Sequence, residues 1–211
     1  MREYMTFHLP TKKEIEKIFV VFKVNYKLVP LEIFGKDPYK TLISTLLSSR
    51  TKDEVTLDAS KRLFRKAPNI QELSSLNTRE IEKLIYPVGF YKTKSKHLKN
   101  LSSKVLKEFE GEIPKTREQL MTLPGVGRKT ANLVLNRAFN ISTIAVDTHV
   151  HRISNTLGWV NTISPEKTEL ALYKILPKKY WSDANRLFVS IGRQYTTKKR
   201  LDKFLEKEDL L

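Results

Sequence analysis

The spacing of apolar residues is the feature that most constrains the fold of this chain. Along nearly all of its 211 residues, apolar side chains recur every three to four positions, and short polar breaks separate the segments. Residues at this spacing share one face of an α-helix, which can pack against other helices. Gly-rich hairpin turns between stretches of alternating Val and Ile, which would indicate a β-sheet, are absent from the sequence. The sequence therefore predicts an all-α protein.

Capping residues predict where individual helices begin. Three pairs have the spacing of a capping box, namely Thr11 with Glu14, Thr51 with Glu54, and Asn77 with Glu80. Single N-cap residues are predicted at Asp37, Thr116, Asp147 and Ser164. Residues 39–48, which include a single charged side chain, predict a central buried helix, and Arg128–Phe139 is predicted to be helical.

Other segments give less definite predictions. Residues 26–36 are expected to form an irregular connector, and the tail from Thr196 a short or frayed helix. The lysines of the Lys92–Lys107 segment are interpreted as a solvated helix face. His149 and His151 are two positions apart and point to different faces of a helix, which disfavours a shared metal.

The charge of the chain points to a polyanionic partner. Its 39 Lys and Arg residues exceed its 23 Asp and Glu residues and give a formal net charge of +16. No apolar run approaches the roughly 20 residues of a membrane-spanning helix, and the start, Met1–Tyr4, has no apolar h-region of a signal peptide. We therefore expect a soluble, intracellular protein that acts away from membranes.

The absence of cysteine excludes several kinds of site from this chain. Disulfides, thiolate zinc sites, cysteine nucleophiles and iron–sulfur clusters held by thiolates all require cysteine side chains. The remaining chemistry must come from other residue types.

The most informative stretch is Met121-Thr-Leu-Pro-Gly-Val-Gly-Arg-Lys-Thr-Ala-Asn132, which lies between two predicted helices. Pro124 fixes one turn angle, while Gly125 and Gly127 are predicted to permit positive φ and to bare the backbone. The second helix would then present outward-facing N–H groups and its positive dipole end, which suit a phosphate. Such contacts do not read base sequence. The alternative is an ordinary turn between two helices.

This stretch also carries a family resemblance. Leu123-Pro-Gly-Val-Gly-Arg-Lys129, followed by Ile144-Ala-Val-Asp-Thr-His149, resembles the helix–hairpin–helix DNA glycosylases, and most closely their endonuclease III branch. The resemblance extends in motif order over about residues 38–195. It implies base-excision repair of double-stranded DNA that contains damaged bases, such as oxidised pyrimidines, or abasic sites. We accordingly expect a monomer that acts in the cytoplasm or at the nucleoid.

The resemblance also implies roles for particular residues. Lys129 would attack the sugar C1′, and the resulting Schiff base would nick the strand by β-elimination, with Asp147 as the second catalytic residue. Contacts to DNA are implied for Arg50, Phe90, Leu123, Gly125, Val126, Gly127, Arg128 and Thr130.

Physical reasoning supports the two catalytic positions. Lys129 lies in the first turn of a predicted helix, where the positive dipole end and Arg128 disfavour a second cation, so we expect its amine to lose a proton readily. Asp147 begins another helix, where N–H donors favour the carboxylate, which can stabilise an oxocarbenium-like sugar. The alternatives are a solvated surface lysine and an aspartate that only caps its helix.

Arg50 and Phe90 would fill the gap that a flipped base leaves in the stack. A guanidinium plane and an aromatic ring are both suitable for this purpose. Arg50 replaces the Gln usual in the endonuclease III branch, and the pair Arg50-Thr51 resembles the thymine mismatch glycosylases. Lys129, which those enzymes generally lack, favours the bifunctional lyase. The alternatives are a monofunctional glycosylase acting on T or U opposite G, and a non-enzymatic helix–hairpin–helix DNA-binding protein.

The resemblance further implies two helical subdomains with a DNA-binding cleft between them. Residues 30–145 would form a bundle carrying the hairpin, and residues 1–29 plus 146–211 the second subdomain. No cofactor is required, although a monovalent cation is implied at the backbone carbonyls of Met121, Leu123 and Val126. Most relatives have a four-cysteine iron–sulfur loop after the last helix. Here we expect none, with packing around Tyr195, Leu201 and Phe204 instead.

Overall fold

A computed structural model of the chain describes residues 8–211. The Met1–Tyr4 stretch, on which part of the expected location rests, lies outside these residues. The described residues form helices α1 Lys12–Val24, α2 Pro38–Ser48, α3 Asp53–Lys66, α4 Ile70–Ser75, α5 Thr78–Ile85, α6 Tyr91–Glu108, α7 Arg117–Met121, α8 Arg128–Phe139, α9 Thr148–Thr156, α10 Pro165–Ile175, α11 Trp181–Gln194 and α12 Lys198–Lys207. They contain no strand, and the all-α prediction is confirmed.

Most of the predicted helix starts are confirmed. Thr11 and Asn77 each form a complete capping box with the glutamate three residues later. The side chains of four further predicted residues accept a hydrogen bond from the first turn of their helices, namely Asp37, Thr116, Asp147 and Ser164. The expected connector over residues 26–36 contains a 3-10 helix at Pro30–Phe34, and the tail forms the regular helix α12.

The capping box predicted at Thr51 and Glu54 is wrong. Helix α3 begins at Asp53, and the preceding residue, Lys52, makes no side-chain capping bond. The Thr51 hydroxyl oxygen instead accepts hydrogen bonds from the Gly89 N–H at 3.0 Å and from Lys94 Nζ at 3.2 Å. Partners distant in sequence have displaced the local cap.

The described residues divide into two compact units. The first covers Pro30–Ile141 and contains α2 to α8 around one apolar core. Helix α2 lies at its centre, as predicted, because every residue from Thr41 to Leu47 is buried. Its neighbours include α8, which forms the second half of the hairpin.

The second unit joins the described residues up to Val29 to Ser142–Leu211. The expected boundary at residue 145 falls too late. Ile144 belongs to the core of the second unit, where its N–H donates to the Tyr173 hydroxyl at 3.0 Å. The Asn185 side-chain amide also donates to the Ala145 carbonyl at 2.9 Å. These bonds attach the connector before Asp147 to α10 and α11.

Aromatic packing holds the second unit together. Phe22 of α1 and Phe188 of α11 make an edge-to-face contact with their centroids 5.0 Å apart. At the C-terminal end, Tyr195 stacks on Phe204 of α12 at 4.3 Å, and Leu201 is fully buried beside them. Helix α12 is therefore part of this core.

Candidate active site and nucleic-acid interface

The hairpin consists of α7, the turn at residues 122–127, and α8. Arg117 Nε in α7 donates to Asn132 Oδ1 in α8 at 2.9 Å, which ties the two helices together. Leu123 and Val126 are buried in the core, and the Val126 N–H donates to the Leu123 carbonyl at 3.1 Å. The side chains of these two predicted DNA-contact residues therefore anchor the turn, and only their backbone is available to a ligand.

Gly125 is required by the turn itself. Its φ of +80° lies in the left-handed region, as the sequence predicts. A Cβ at this position would also lie 2.7 Å from His97 Nδ1 of α6 and 3.2 Å from a Leu46 methyl of α2. Both the backbone conformation and the packing therefore require glycine.

Gly127, the second glycine of the turn, does not have the positive φ predicted for it. It has a φ of −97° and is the N-cap of α8, so the expected positive φ is wrong. A Cβ built there would have no protein atom within 4 Å. Nothing within the described chain requires a glycine at this position. Its effect is to leave the start of α8 uncovered toward the outside, where a backbone phosphate can approach closely.

Helix α8 begins at Arg128, as predicted, and its first three residues are Arg128, Lys129 and Thr130. All three side chains are partly exposed. The N-cap, Gly127, provides no side-chain hydrogen bond to the first turn of α8, and Lys129 lies in that turn, at the positive end of the helix dipole. This is the local environment expected from the sequence.

Asp147 is the N-cap of α9 in the other unit. Its Oδ1 accepts hydrogen bonds from the N–H groups of His149 and Val150, each at 2.9 Å. Neither bond uses Oδ2. The preceding residues, 144–146, are buried, so a rigid segment carries the carboxylate to the helix start.

His149 and His151 have separate surroundings, as the sequence predicts. The His149 side chain packs on Gly192 of α11, where a Cβ would come within 2.8 Å of the His149 Cβ. His151 Nδ1 instead lies 2.6 Å from the Thr168 hydroxyl of α10. Both histidines therefore pack within the second unit on different neighbours.

Arg50 and Phe90 are brought together by loops that are 40 residues apart in sequence. The guanidinium carbon of Arg50 lies 5.6 Å from the centroid of the Phe90 ring, which is 61% exposed. Both residues have left-handed backbones, with φ of 52° and 58°. Such a conformation costs a non-glycine residue about 1–3 kcal/mol, so other contacts must maintain it. We call residues 49–51 and 88–90, which carry the two side chains predicted to fill the gap, the gap-filling loops.

Lys94 of α6 is the site residue that sequence reasoning missed. Its side chain is only 6% exposed, so the interpretation as a solvated face is wrong at this position. Its ammonium donates to the Leu47 carbonyl at 2.8 Å, the Ser49 carbonyl at 2.6 Å and the Thr51 hydroxyl at 3.2 Å. Burial lowers the pKa of Lys94 to about 8. The signal was its helical register, which places it four residues before the buried Leu98.

A cavity of about 250 Å³ connects the gap-filling loops to the hairpin within the first unit. Its lining combines the side chains that project from the loops with the turn of the hairpin, and it includes Arg50, Phe90, Lys94, His97 and Gly125. The loops that carry Arg50 and Phe90 and the turn of the hairpin therefore line one cavity.

Comparison with known proteins identifies the family. Residues 43–178 match the model described as the HhH-GPD superfamily base excision DNA repair protein. The chain belongs to the HhH-GPD superfamily. It is also similar to endonuclease III of Thermotoga maritima, with 47% identity over 158 residues, which cover 75% of this chain and 74% of that protein. It is therefore a base-excision-repair DNA glycosylase of the endonuclease III-like branch, and the family resemblance is confirmed.

Two solved structures share the fold of this chain. A trapped endonuclease III–DNA covalent intermediate has a TM-score of 0.80 and 33% identity, and the match covers 89% of each chain. A thermostable thymine-DNA glycosylase has a TM-score of 0.76 with 23% identity, over 89% of this chain and 88% of that one, and shows the fold alone. Within residues 8–211, no helix has both the length and the apolar character needed to cross a bilayer.

Proposed function

We propose that this glycosylase is bifunctional: it removes oxidised pyrimidines from double-stranded DNA through a Schiff base on Lys129, and its AP lyase activity then nicks the strand. The observation that carries this proposal is the placement of an amine in the first turn of α8, directly after a glycine turn. The trapped covalent intermediate of the 33% identical endonuclease III supports a covalent mechanism.

The proposed chemistry begins at C1′ of the damaged nucleotide. The Lys129 amine bonds to C1′ as the N-glycosidic bond breaks, and the base leaves with that electron pair and takes up a proton. Loss of a proton from the amine nitrogen and opening of the sugar ring give the Schiff base. Removal of a proton from C2′ then breaks the C3′–O bond and expels the 3′ phosphate. Water finally hydrolyses the Schiff base and returns the amine.

We assign Asp147 to the same sugar. Its two capping bonds use Oδ1, so Oδ2 retains charge for the positive sugar that develops as the base departs. The N–H donors at the start of α9 favour its ionised form. Asp147 is in this view both the cap of its helix and a catalytic residue.

The hairpin would bind the DNA backbone without reading sequence. Gly125 shapes the turn, Gly127 leaves the start of α8 open, and Arg128 and Thr130 flank the approach. With a formal charge of +16, we expect an affinity for DNA that falls as the salt concentration rises. A DNA substrate fits a monomer that acts inside the cell at the nucleoid.

The proposed enzyme requires no cofactor. The residues do not fit an iron–sulfur cluster, because the chain has no cysteine, and Tyr195, Leu201 and Phe204 fill the second core beside α12. The carbonyls of Met121, Leu123 and Val126 do suit a monovalent cation, since the Leu123 carbonyl accepts one turn bond and has a second lone pair. Such a cation would supply positive charge at the hairpin, where it would favour a DNA phosphate.

A second candidate function is a monofunctional mismatch glycosylase that removes thymine or uracil opposite guanine. The pair Arg50-Thr51 favours it, because guanidinium donors match the acceptor edge of guanine. In that case base release would occur without strand nicking. A non-enzymatic DNA-binding role, the third alternative, is opposed by the glycosylase family assignment.

Borohydride trapping on duplexes that contain thymine glycol, dihydrouracil, uracil, a T·G mismatch or an abasic site tests the proposal. We expect Lys129→Gln to abolish trapping and nicking, because no amine remains to attack C1′. Arg128→Gln is the matched control, since it removes the same charge from the same helix turn and keeps the amine. Trapping by Lys129→Gln at the unmodified level would refute the assignment.

Asp147 variants separate capping from catalysis. Asp147→Asn keeps an oxygen that accepts the two N–H bonds, so we expect an unchanged melting temperature and a severe loss of excision. Asp147→Ala should lose excision and, in addition, about 0.5–2 kcal/mol of stability. Full excision by the stable Asn variant would restrict Asp147 to its capping role.

A further inference from the structure

Lys94 is a buried cation whose three hydrogen bonds all go to uncharged groups. Its acceptors are the Leu47 and Ser49 carbonyls, where α2 ends, and the hydroxyl of Thr51. An ammonium group has three N–H donors, so the three acceptors match its full capacity. Burying a charged group is unfavourable, and these three hydrogen bonds offset part of that cost.

These bonds hold one gap-filling loop against the other. Thr51, which accepts from Lys94, also accepts from the Gly89 N–H at 3.0 Å. A Cβ on Gly89 would lie 2.6 Å from the Arg50 carbonyl, so the two backbones are in direct contact there. Lys94 and Thr51 thus connect residues 47–51 to residues 89–94.

We propose that Lys94 is a positioning residue, which together with Thr51 holds Arg50 and Phe90 in the geometry that fills the gap left by a flipped base. This inference rests on the proposed function. Arg50 and Phe90 both have left-handed backbones that relax unless neighbouring contacts oppose the change. Lys94 supplies those contacts before DNA binds, which lowers the ordering cost at the moment of base flipping.

The competing explanation is that Lys94 only satisfies the carbonyls at the end of α2. A purely structural role affects all duplexes equally, since it changes the amount of folded protein. A positioning role affects only duplexes in which a gap must be filled, because undamaged DNA has no vacant stack position. The comparison of lesion and undamaged duplexes therefore separates the two roles.

The protonation state of Lys94 gives a second distinction. A neutral amine has only two N–H donors and leaves one of the three acceptors without its bond. Burial lowers the pKa of Lys94 to about 8, so this loss occurs on raising the pH from about 7 to about 9. The ionisable side chains that line the same cavity are Arg50 and His97, and Tyr91 is nearby on α6.

The test measures affinity for two duplexes, one undamaged and one carrying a tetrahydrofuran abasic-site analogue, which cannot react with Lys129. We expect Lys94→Met to weaken binding to the analogue duplex by about tenfold, the scale of a lost charged hydrogen bond, and to leave undamaged DNA nearly unchanged. Lys96→Met is the control, because Lys96 is an exposed lysine on the same helix.

Thr51 variants keep the proposal testable if Lys94→Met fails to fold. Thr51→Val removes the hydroxyl at nearly constant volume and should weaken binding to the analogue duplex selectively, while Thr51→Ser should restore it. In the unmodified protein the preference for the analogue duplex should fall as the pH rises through about 8, and in Lys94→Met this dependence should disappear.

Equal losses on both duplexes, or a preference that does not change with pH, would overturn the positioning role. Amide hydrogen exchange of Arg50 and Phe90 in the DNA-free protein tests the same contacts separately and should accelerate in Lys94→Met but not in Lys96→Met. If the unmodified protein lacks lesion preference, the proposed function fails. Amide hydrogen exchange still decides whether Lys94 holds the loops. If exchange at Arg50 and Phe90 is unchanged in Lys94→Met, the positioning role is rejected.

Discussion

The hairpin and the gap-filling loops lie in the same unit, yet different kinds of contact hold them in place. The hairpin turn is set by a local backbone bond from Val126 to Leu123, by the positive φ of Gly125 and by buried apolar side chains. The gap-filling loops depend on hydrogen bonds between side chains and backbone that are 38 to 47 residues apart in sequence. One of these regions is built from backbone geometry and the other from a side-chain network.

This difference matches the task proposed for each region. Phosphate contacts must form on any sequence, and fixed N–H groups of a helix start provide them without a side chain. A stack position is vacant only where a base has been flipped out. The residues that fill it must therefore already project from the protein, and surrounding contacts hold their left-handed backbones in place. The backbone bond that sets the first arrangement contains no titratable group. The second arrangement contains Lys94, whose pKa of about 8 makes it sensitive to pH.

The largest expected effect is on the stability of the hairpin. Gly125→Ala forces a Cβ to within 2.7 Å of His97 Nδ1 at a φ of +80°. We expect the free energy of unfolding to fall by about 2–4 kcal/mol, since left-handed strain alone costs about 1–2 kcal/mol. Urea unfolding of the purified variant measures this loss.

Gly127→Ser is the matched control in the same turn. A Cβ there meets no protein atom within 4 Å, and Ser is a better N-cap than Gly, so stability should be kept or slightly raised. Binding to undamaged duplex should nevertheless weaken, because the side chain obstructs the approach of a phosphate to α8. If Gly127→Ser binds as tightly as the unmodified chain, the start of α8 does not contact the DNA backbone.

How well the sequence predicted each region follows from the range of its contacts. The bounds of α8 and the conformation of Gly125 depend on neighbours in sequence, and both predictions are confirmed. At Gly127 the expected positive φ is wrong, while the expected bare backbone agrees with the open space around this residue. A glycine can serve a turn by its positive φ or leave the backbone open by its small size. Sequence alone does not distinguish these two uses.

The errors at Thr51 and Lys94 have one common cause. Thr51 has the correct spacing for a local cap with Glu54, but the Gly89 N–H and Lys94 Nζ use its hydroxyl instead. Lys94 lies among exposed lysines of α6, although its register places it on the buried face. Local sequence patterns do not show that the Lys94 ammonium and the Thr51 hydroxyl, 43 residues apart, form a hydrogen bond with each other. The site residues that depend on tertiary pairing were therefore the ones missed.

The next largest effect concerns Arg50. If its guanidinium pairs with the acceptor edge of guanine, Arg50→Gln should reduce the preference for guanine opposite the lesion by about 1–3 kcal/mol, the scale of one bidentate contact. Excision measured opposite each of the four bases checks this. Arg50→Lys is the control, because it keeps the charge and loses the planar fork. A contact to phosphate alone would leave the ranking of the four bases unchanged in both variants.

The smallest expected effect is at Phe90 and bears most directly on strain. The ring is 61% exposed, and its backbone φ of 58° is left-handed, so the residue adds little to folding and occupies a costly conformation. Phe90→Gly removes the ring and accepts this backbone freely. We expect the melting temperature to stay level or rise, and affinity for a tetrahydrofuran duplex to fall by about 1 kcal/mol relative to undamaged DNA, the lower range of base–aromatic stacking. Phe90→Ala, which keeps the strain, should lose the same affinity without the gain in stability. If both variants bind the two duplexes in the unmodified ratio, Phe90 does not enter the stack. The comparison between the two regions would then depend on Arg50 alone.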